Sequence, residues 1–344
     1  MQEDLVKIYH SRMICRIYHV FPPLKTFVNQ LLNIYTGNND LMTRRSYWRF
    51  YSALRYLKNC ILHDRLPIDS PDIILVDPHR IRHVSNEDDL NAPAGEIQVA
   101  IDSTGNIILE SGLSHLVATR EKSLKLVSVT IKRRHRQWAR FRREVYDYSM
   151  EQSKGLYQMP VHPDLQKIPS QRKEVRWEHI INNLPISNGT VLDIGANWGY
   201  FCHKFEDIGF ECYAVENNYR WLYFMEKLRV AEGKKFHVIS KSIFDVRKKD
   251  YDIVLALSVF HHFLRKESSY QKLIKLLNGL NMKYMYLEPL PTVHGYKEIP
   301  LDYTEEKFIN FILANSCLKQ YKYLGKTERG RNMYLLSEMQ GGKL

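Results

Sequence analysis

The sequence predicts an α/β protein whose C-terminal half forms a doubly wound sheet. A helical segment and a small α+β domain precede that half in the chain. Strand-like and helix-like segments alternate from Thr190 onward. Apolar residues recur at three- and four-residue spacing up to about residue 65, which is typical of helices. Between these regions, two short strands flank the turn sequence "STGN". The predicted units are a helical segment 1–66, an α+β domain 67–149, a linker or lid 150–176 and a doubly wound domain 177–344.

Length and composition exclude several classes of protein. The chain has 344 residues, which favours two domains, and its 44% hydrophobic residues exclude a mostly disordered protein. No apolar stretch reaches the ~18–20 residues of a membrane span, and the N-terminus lacks a signal-peptide core. Five scattered cysteines without CxxC spacing indicate neither a disulfide framework nor a zinc knuckle. We therefore expect a cytoplasmic protein.

A net charge of +12 favours an anionic partner, which is nucleic acid, an anionic membrane surface or a phosphorylated substrate; the alternative is a soluble basic protein with no polyanion partner. The stretch "SYWRFYSALRYLKNCIL" has the pattern of a basic amphipathic helix. Such a helix suits peripheral contact with the inner membrane surface or a polyanion, and its alternative role is ordinary core packing. The basic run 132–143 interleaves Trp138 and Phe141 with arginines. This pattern is typical of nucleic-acid contact by phosphate binding and stacking, or of a solvated helix with both aromatics packed inward.

The α+β region has the element order strand, hairpin, helix, strand. Its segments are "PDIILVDPHRI", "EIQVAIDSTGNIILESG", "LSHLVATREKS" and "LVSVTIKRRH". This order resembles the ParB/sulfiredoxin-like fold over roughly residues 70–145. The ParB family carries a Gly-Glu-Arg-Arg type motif that contacts nucleotide phosphates at the head of the central helix. Here Gly112 is followed by Leu113, Ser114 and His115. The resemblance therefore implies recognition or scaffolding rather than nucleotide hydrolysis.

The stretch "VLDIGANWGYF" predicts a glycine-rich turn between a strand and a helix. Gly195 and Gly199 are four residues apart with Asn197 between them, a spacing that does not match the G-x-G-x-x-G fingerprint of NAD sites. Asparagine tolerates left-handed dihedrals better than other non-glycine residues, so the turn can survive it. Glu216 ends the next strand, 21 residues after Gly195. That distance is close to the ~20 residues expected for a ribose-binding carboxylate.

These features resemble class I S-adenosylmethionine-dependent methyltransferases, which have a Rossmann-like seven-stranded sheet ending in an antiparallel hairpin. The resemblance implies S-adenosylmethionine as the cofactor, with Asp193 and the turn facing its methionine part. It also implies that Ser242 or Asp245 reaches the adenine amine and that Ile243 covers the ring. The implied cofactor-binding residues are Asp193, Gly195, Asn197, Gly199, Tyr200, Glu216, Asn217, Ser242, Ile243 and Ser258.

The stretch "YDIVLALSVFHHF" resembles the strand-four motif that leads to the substrate site of this family. His261 and His262 follow that strand, where a histidine can act as base toward an acceptor hydroxyl. Glu288, at the end of strand five, is expected on the same rim, and these three are the predicted catalytic residues. Two histidines and a glutamate could also hold a divalent metal, but the spacing assigns no metal site. Further residues expected to line the acceptor pocket are His294, Tyr296 and Lys297.

Three functions are compatible with these patterns. The first is O-methylation of a hydroxyl on a small molecule or glycan, including phosphorylated or lipid-linked ones. The second is methylation of RNA or DNA, with the basic N-terminal half on the phosphate backbone. "LSVFHH" replaces the Asp/Asn-Pro-Pro-Tyr/Phe motif of nucleobase amine methylation and contains no cysteine for carbon-5 chemistry. The third is a non-enzymatic protein that senses the cofactor.

Overall fold

The computed structural model describes residues 72–83, 96–152, 155–293 and 303–338. The predicted helical segment 1–66 and its amphipathic helix lie outside these ranges, as do His294, Tyr296 and Lys297. Residues 72–149 and 155–338 belong to one compact unit. Within the described ranges, no helix is both long and apolar enough to cross a membrane.

A small mixed sheet forms the first part of this unit. Its five strands pack in the order β1-β5-β3-β4-β2, and helix α1 follows β4. The β3–β4 hairpin turns at Asp102, whose side chain accepts hydrogen bonds from the backbone N–H groups of Thr104 (2.8 Å) and Asn106 (2.9 Å). The predicted order of strand, hairpin, helix and strand is confirmed, while membership of the ParB-like fold stays a prediction. The elements are β1 Asp72–Val76, β2 Ile81–Arg82, β3 Gln98–Ile101, β4 Ile107–Ser111, α1 Leu113–Glu121 and β5 Val127–Arg134.

Helix α2, Arg136–Glu151, carries most of the basic run and turns its aromatic residues inward. Trp138 and Phe141 are only 2% and 3% exposed, so the prediction that they stack on nucleic-acid bases is wrong. They lie on one helical stripe with Val145, as expected for an amphipathic helix that packs on a core. Burial of this apolar stripe, rather than ligand contact, explains the aromatic residues in the basic run.

Several cations of the basic run already have carboxylate partners. The guanidinium of Arg134 donates to both oxygens of the buried Asp164, which also accepts a hydrogen bond from the Trp138 indole N–H at 2.9 Å. Exposed ion pairs with helical spacing involve Arg140 with Glu144 and Arg143 with Asp147. The inward-packing alternative therefore accounts for both the aromatic residues and part of the charge.

The predicted linker or lid is an ordered connector where it is described. Leu156, Leu165 and Ile168 are buried in the core that also holds Trp138. A short 3-10 turn, Pro163–Leu165, presents Asp164 to helix α2. The connector leads into helix α3, Val175–Asn182. Its apolar side chains make it part of the packed unit.

A seven-stranded sheet forms the second part, with strand order β13-β14-β10-β9-β6-β7-β8. Strands β6 to β10 are parallel, and β14 runs antiparallel to both β10 and β13. The predicted seven-stranded sheet with a C-terminal antiparallel hairpin is confirmed. Its elements are β6 Thr190–Ile194, α4 Tyr200–Asp207, β7 Glu211–Val215, α5 Tyr219–Ala231, β8 His237–Ile239, β9 Asp250–Leu257, α6 Glu267–Gly279, β10 Asn281–Glu288, α7 Glu305–Ala314, β13 Gln320–Lys326 and β14 Asn332–Ser337, with a small separate pair, β11 Thr292–Val293 and β12 Tyr303–Thr304.

The topology places the carboxyl ends of β6, β7, β9 and β10 along one edge of the large sheet. Strand β6 pairs with β7 on one side and β9 on the other, so the chain changes winding direction there. The crevice at such a switch point is where doubly wound sheets bind ligands. Trp198 and Phe224 stack beside this edge with ring centroids 4.5 Å apart, and both belong to the core that contains Trp138.

Candidate active site

The glycine-rich turn after β6 has three residues in the left-handed region. Gly195, Asn197 and Gly199 have φ values of 73°, 54° and 78°. Asn197 therefore occupies the conformation that its residue type tolerates. The backbone N–H groups of Gly195 and Ala196 both donate to the carbonyl of Val215, at 2.9 and 3.0 Å. These bonds hold the turn against the end of β7.

Glu216 binds the turn from the neighbouring strand. One carboxylate oxygen accepts the backbone N–H of Asn197 at 3.0 Å, and the other accepts those of Asn217 (2.8 Å) and Asn218 (2.9 Å). Burial raises the pKa of Glu216, and the three N–H donors oppose that effect. The side-chain oxygen of Asn197 is buried without a hydrogen-bond partner among the described residues. Glu216 and the turn thus form one polar unit at the switch point, while Asn217 is exposed.

Asp193 lies buried at the end of β6, just before the turn. Burial raises its pKa to about 7, because the low-dielectric surroundings disfavour the charged carboxylate. Arg176 opposes this effect, and the nearby carboxylates of Glu216 and Glu174 reinforce it. Tyr200 begins helix α4 and is also buried, which raises the pKa of its phenol.

The residues predicted to contact adenine occupy a short 3-10 turn, Ile243–Asp245. The Ser242 hydroxyl accepts the backbone N–H of Phe244 at 3.4 Å and so caps the turn. Ile243 is buried in the main core, and Asp245 is exposed. The turn follows β8 at the carboxyl edge, and the adenine contact itself stays a prediction.

Ser258 follows strand β9, Glu288 ends the adjacent strand β10, and two hydrogen bonds join them. The Ser258 backbone N–H donates to the Glu288 carbonyl at 3.0 Å, and the Ser258 hydroxyl donates to the Glu288 carboxylate. Ser258 has a φ of 60°, a left-handed conformation that is uncommon for serine. Two further side chains join this pair: Thr327 donates to Glu288 at 2.8 Å, and Arg331 donates to the Ser258 oxygen at 2.6 Å.

Two buried arginines complete the surroundings of Glu288. Nη1 and Nη2 of Arg172 lie 3.2 and 3.4 Å from its two carboxylate oxygens, and Nη1 of Arg176 lies 3.8 Å away. Arg176 also donates to Glu174 at 2.8 Å. Burial alone would raise the pKa of Glu288, but the two guanidinium groups and its hydrogen bonds lower it. Glu288 is therefore an ionised carboxylate surrounded by donors.

Sequence reasoning missed Arg172 and Arg176. The stretch "QRKEVRW" has four charged residues in a row of seven, a pattern that usually belongs to a solvated segment. Arg172 lies in the irregular connector and Arg176 on helix α3, which begins at Val175, so no helical spacing in the sequence pairs the two arginines.

His261 and His262 lie on a 3-10 helix, Phe260–Arg265, which Val259 separates from Ser258. Their ring centroids are 4.1 Å apart. His261 is 8% exposed, and burial together with the neighbouring His262 and the positive charges of Arg331 and Arg265 lowers its pKa to about 3. Burial and the same arginines also lower the pKa of the more exposed His262. Both imidazoles are therefore neutral near pH 7, and protonation of the buried His261 is the more strongly disfavoured by its surroundings.

The structure thus brings the predicted catalytic residues to one rim, with His261, His262 and Glu288 around Ser258. Among the described residues, no group of three or more His, Cys, Asp or Glu side chains is arranged to hold a metal ion. The described part of the rim supplies proton acceptors and cations rather than a metal-ligand cluster.

Part of the chain is similar in sequence to a known protein. No family model matches the chain. A stretch of 98 residues is 29% identical to the tRNA U34 carboxymethyltransferase of Dichelobacter nodosus (strain VCS1703A). The match covers 26% of this chain and 30% of the relative, so it spans less than a third of that protein's length.

Similar solved structures cover about half of the chain. The bifunctional kinase-methyltransferase WbdD superimposes with a TM-score of 0.41 and 18% identity, over 53% of this chain and 43% of that one. The PH0226 protein from Pyrococcus horikoshii OT3 superimposes with a TM-score of 0.39 and 15% identity, over 49% of this chain and 92% of that one.

Proposed function

We propose that the protein is an S-adenosylmethionine-dependent methyltransferase that methylates a hydroxyl group of a small molecule or glycan. One observation carries the proposal: the left-handed turn from Gly195 to Gly199 is bonded to Glu216 at the switch point of a seven-stranded sheet. The relative in sequence is named as a tRNA U34 carboxymethyltransferase, and this supports an enzyme that transfers a carbon group.

The residues at the switch point fit this cofactor. Asn197 has a buried side-chain oxygen with no partner among the described residues, as expected of a group that waits for a ligand donor. Glu216 accepts three backbone N–H groups, and a carboxylate has about four acceptor positions, so it can also accept a hydrogen bond from a ribose hydroxyl. Ser242 and Ile243 lie after the next strand, where the adenine ring is expected. When bound, S-adenosylmethionine supplies a methyl group already activated by its sulfonium.

His262 is the base in this proposal. It is exposed to the rim and has a neutral imidazole near pH 7, so it can take the proton of an acceptor hydroxyl. His261 packs behind it and orients its ring. Glu288 is a positioning residue, since its oxygens are occupied by Ser258, Thr327 and Arg172. The rim therefore aligns the acceptor, and the donor carries most of the chemical activation.

Calorimetric titration with S-adenosylhomocysteine tests the cofactor site. We expect binding by the unmodified protein and an affinity about tenfold lower in Glu216→Gln, because one carboxylate acceptor is lost. Glu226→Gln is the matched control, since Glu226 lies on helix α5 and its ion pair within the described ranges is with Arg229. Absence of binding by the unmodified protein would overturn the proposed function.

RNA is the second candidate acceptor. The relative in sequence is named for a tRNA position, and the basic run still presents exposed cations at Lys132, Arg133, Arg136 and Arg140. Phosphate contacts would give affinity that falls steeply with salt. A tRNA titration at ~50 mM and ~200 mM salt tests this candidate. Binding that is absent at low salt, or unchanged in Arg136→Gln, would remove it.

A further inference from the structure

The rim of the candidate active site has cations without carboxylate partners. Arg331 and Arg329 lie on the connection between β13 and β14. Arg331 donates to the hydroxyl oxygen of Ser258 at 2.6 Å. The guanidinium carbon of Arg329 lies 6.0 Å from the ring centroid of Tyr157. Among the described residues, neither arginine forms an ion pair.

The nearby carboxylates are already engaged by other groups. Glu288 accepts from Arg172, Ser258 and Thr327, as described above. Glu328 accepts the backbone N–H of Val175 at 2.6 Å and lies 3.8 Å from Arg172. Among the described residues, Glu288 and Glu328 thus lie against Arg172 and Glu174 lies against Arg176, so no carboxylate lies within ion-pair distance of Arg329 or Arg331.

The pKa values of neighbouring groups reflect the positive charge of Arg331 and Arg329. Burial lowers the pKa of Arg331, Glu288 opposes that effect, and Arg329 and Arg172 reinforce it. The positive charge of Arg331 also contributes to the lowered pKa of His261. These groups are close enough to interact electrostatically, so the cations and the histidine share one small region.

We propose that Arg331 and Arg329 bind an oxyanion, a phosphate or carboxylate group, on the methyl acceptor. The proposal rests on the proposed function, since that function places the acceptor beside His261 and His262. A guanidinium donates two parallel hydrogen bonds to an oxyanion, and the partly buried setting of Arg331 strengthens them. Bound this way, the anion anchors the acceptor while its hydroxyl faces His262.

The test uses inorganic phosphate as the probe, titrated calorimetrically into the full-length protein with and without S-adenosylhomocysteine. We expect phosphate to bind in both states, and Arg331→Gln to bind it at least about tenfold more weakly. Arg329→Gln should weaken binding less, because Arg329 is exposed. Acetate titrations then separate carboxylate from phosphate recognition. Arg247→Gln, an exposed arginine between β8 and β9, is the control and should bind phosphate as the unmodified protein does.

The outcomes separate this inference from the proposed function. Equal phosphate binding by Arg331→Gln, Arg329→Gln and the unmodified protein would overturn it. Phosphate that competes with S-adenosylhomocysteine would also overturn it, because the arginines would then serve the cofactor. The inference would also be overturned if an RNA oligonucleotide bound through Arg331 while inorganic phosphate did not bind. Failure to bind S-adenosylhomocysteine counts by itself against the proposed function. The phosphate titrations then decide the inference about Arg331 and Arg329. Arg329→Gln is expected to fold normally, because Arg329 forms no hydrogen bond with the described residues. It therefore tests the inference even if Arg331→Gln misfolds.

Discussion

Arg172 and Glu288 form an ion pair in which both side chains are completely buried, with Nη1 and Oε1 3.2 Å apart. The two residues are 116 positions apart in the chain and meet at the carboxyl end of β10. Glu288 also accepts a hydrogen bond from Ser258, which lies two residues before the 3-10 helix that carries His261 and His262. The pair therefore links the connector to the candidate active site.

Removal of Arg172 should strongly destabilise the protein. We expect Arg172→Met to lower the free energy of unfolding by about 3 kcal/mol, because it leaves Glu288 buried with a weaker partner in Arg176. Arg133→Met is the control, since the Arg133 side chain is 77% exposed and surface pairs contribute little. Urea denaturation of both variants measures the difference. Equal stabilities would contradict the structural role of the pair.

The turn should require glycine at position 195. A Cβ there would lie 3.2 Å from Cγ2 of Val259 and would force a side chain into the left-handed region. Gly195→Ala should cost about 1–3 kcal/mol of stability and weaken S-adenosylhomocysteine binding. Gly233→Ala has a similar φ of 63° and open space around its Cβ, so it isolates the backbone strain. Identical effects of both variants on cofactor affinity would argue against a special role for the turn.

Asp193 should make the stability depend on pH. Its pKa is about 7 in the folded protein and near the ordinary 3.8 when unfolded, so the folded state binds more protons between these values. The stabilisation is fully present below pH ~4 and is lost as the pH rises through about 7, a change of about 2–4 kcal/mol. Asp193→Asn should remove this part of the pH dependence. Denaturation at several pH values compares the two proteins, and parallel curves would refute the prediction.

The histidine pair should titrate below the ordinary range. NMR titration of the ring protons should give His261 a pKa of about 3 and His262 a pKa below 6.5. Arg331→Gln should raise the pKa of His261, because it removes a positive charge that disfavours the imidazolium. Lys235→Gln, an exposed lysine just before β8, should leave it unchanged. A pKa near 6.5 for His261 in the unmodified protein would show that the rim is open to solvent and not positively charged.

Much of the large sheet could be predicted from local pattern. Each strand of a doubly wound sheet is a short apolar run between helices, so the order of elements after Thr190 was readable. The left-handed turn and Glu216 were also readable, because their residue types and spacing are set by backbone geometry. The residues that contact the turn and Glu216 could not be predicted from the sequence in this way.

The sequence by itself determined the alternation of strands and helices, the glycine-rich turn and the positions of His261 and His262 after β9. Only the tertiary structure decided that Trp138 and Phe141 face the core and that Arg172 reaches Glu288. The physical reason is the distance along the chain over which each interaction acts. Periodicity and turn chemistry depend on residues that are neighbours in the sequence. Burial and ion pairing depend on which distant segments the fold brings together, and these long-range contacts set the charge at the rim.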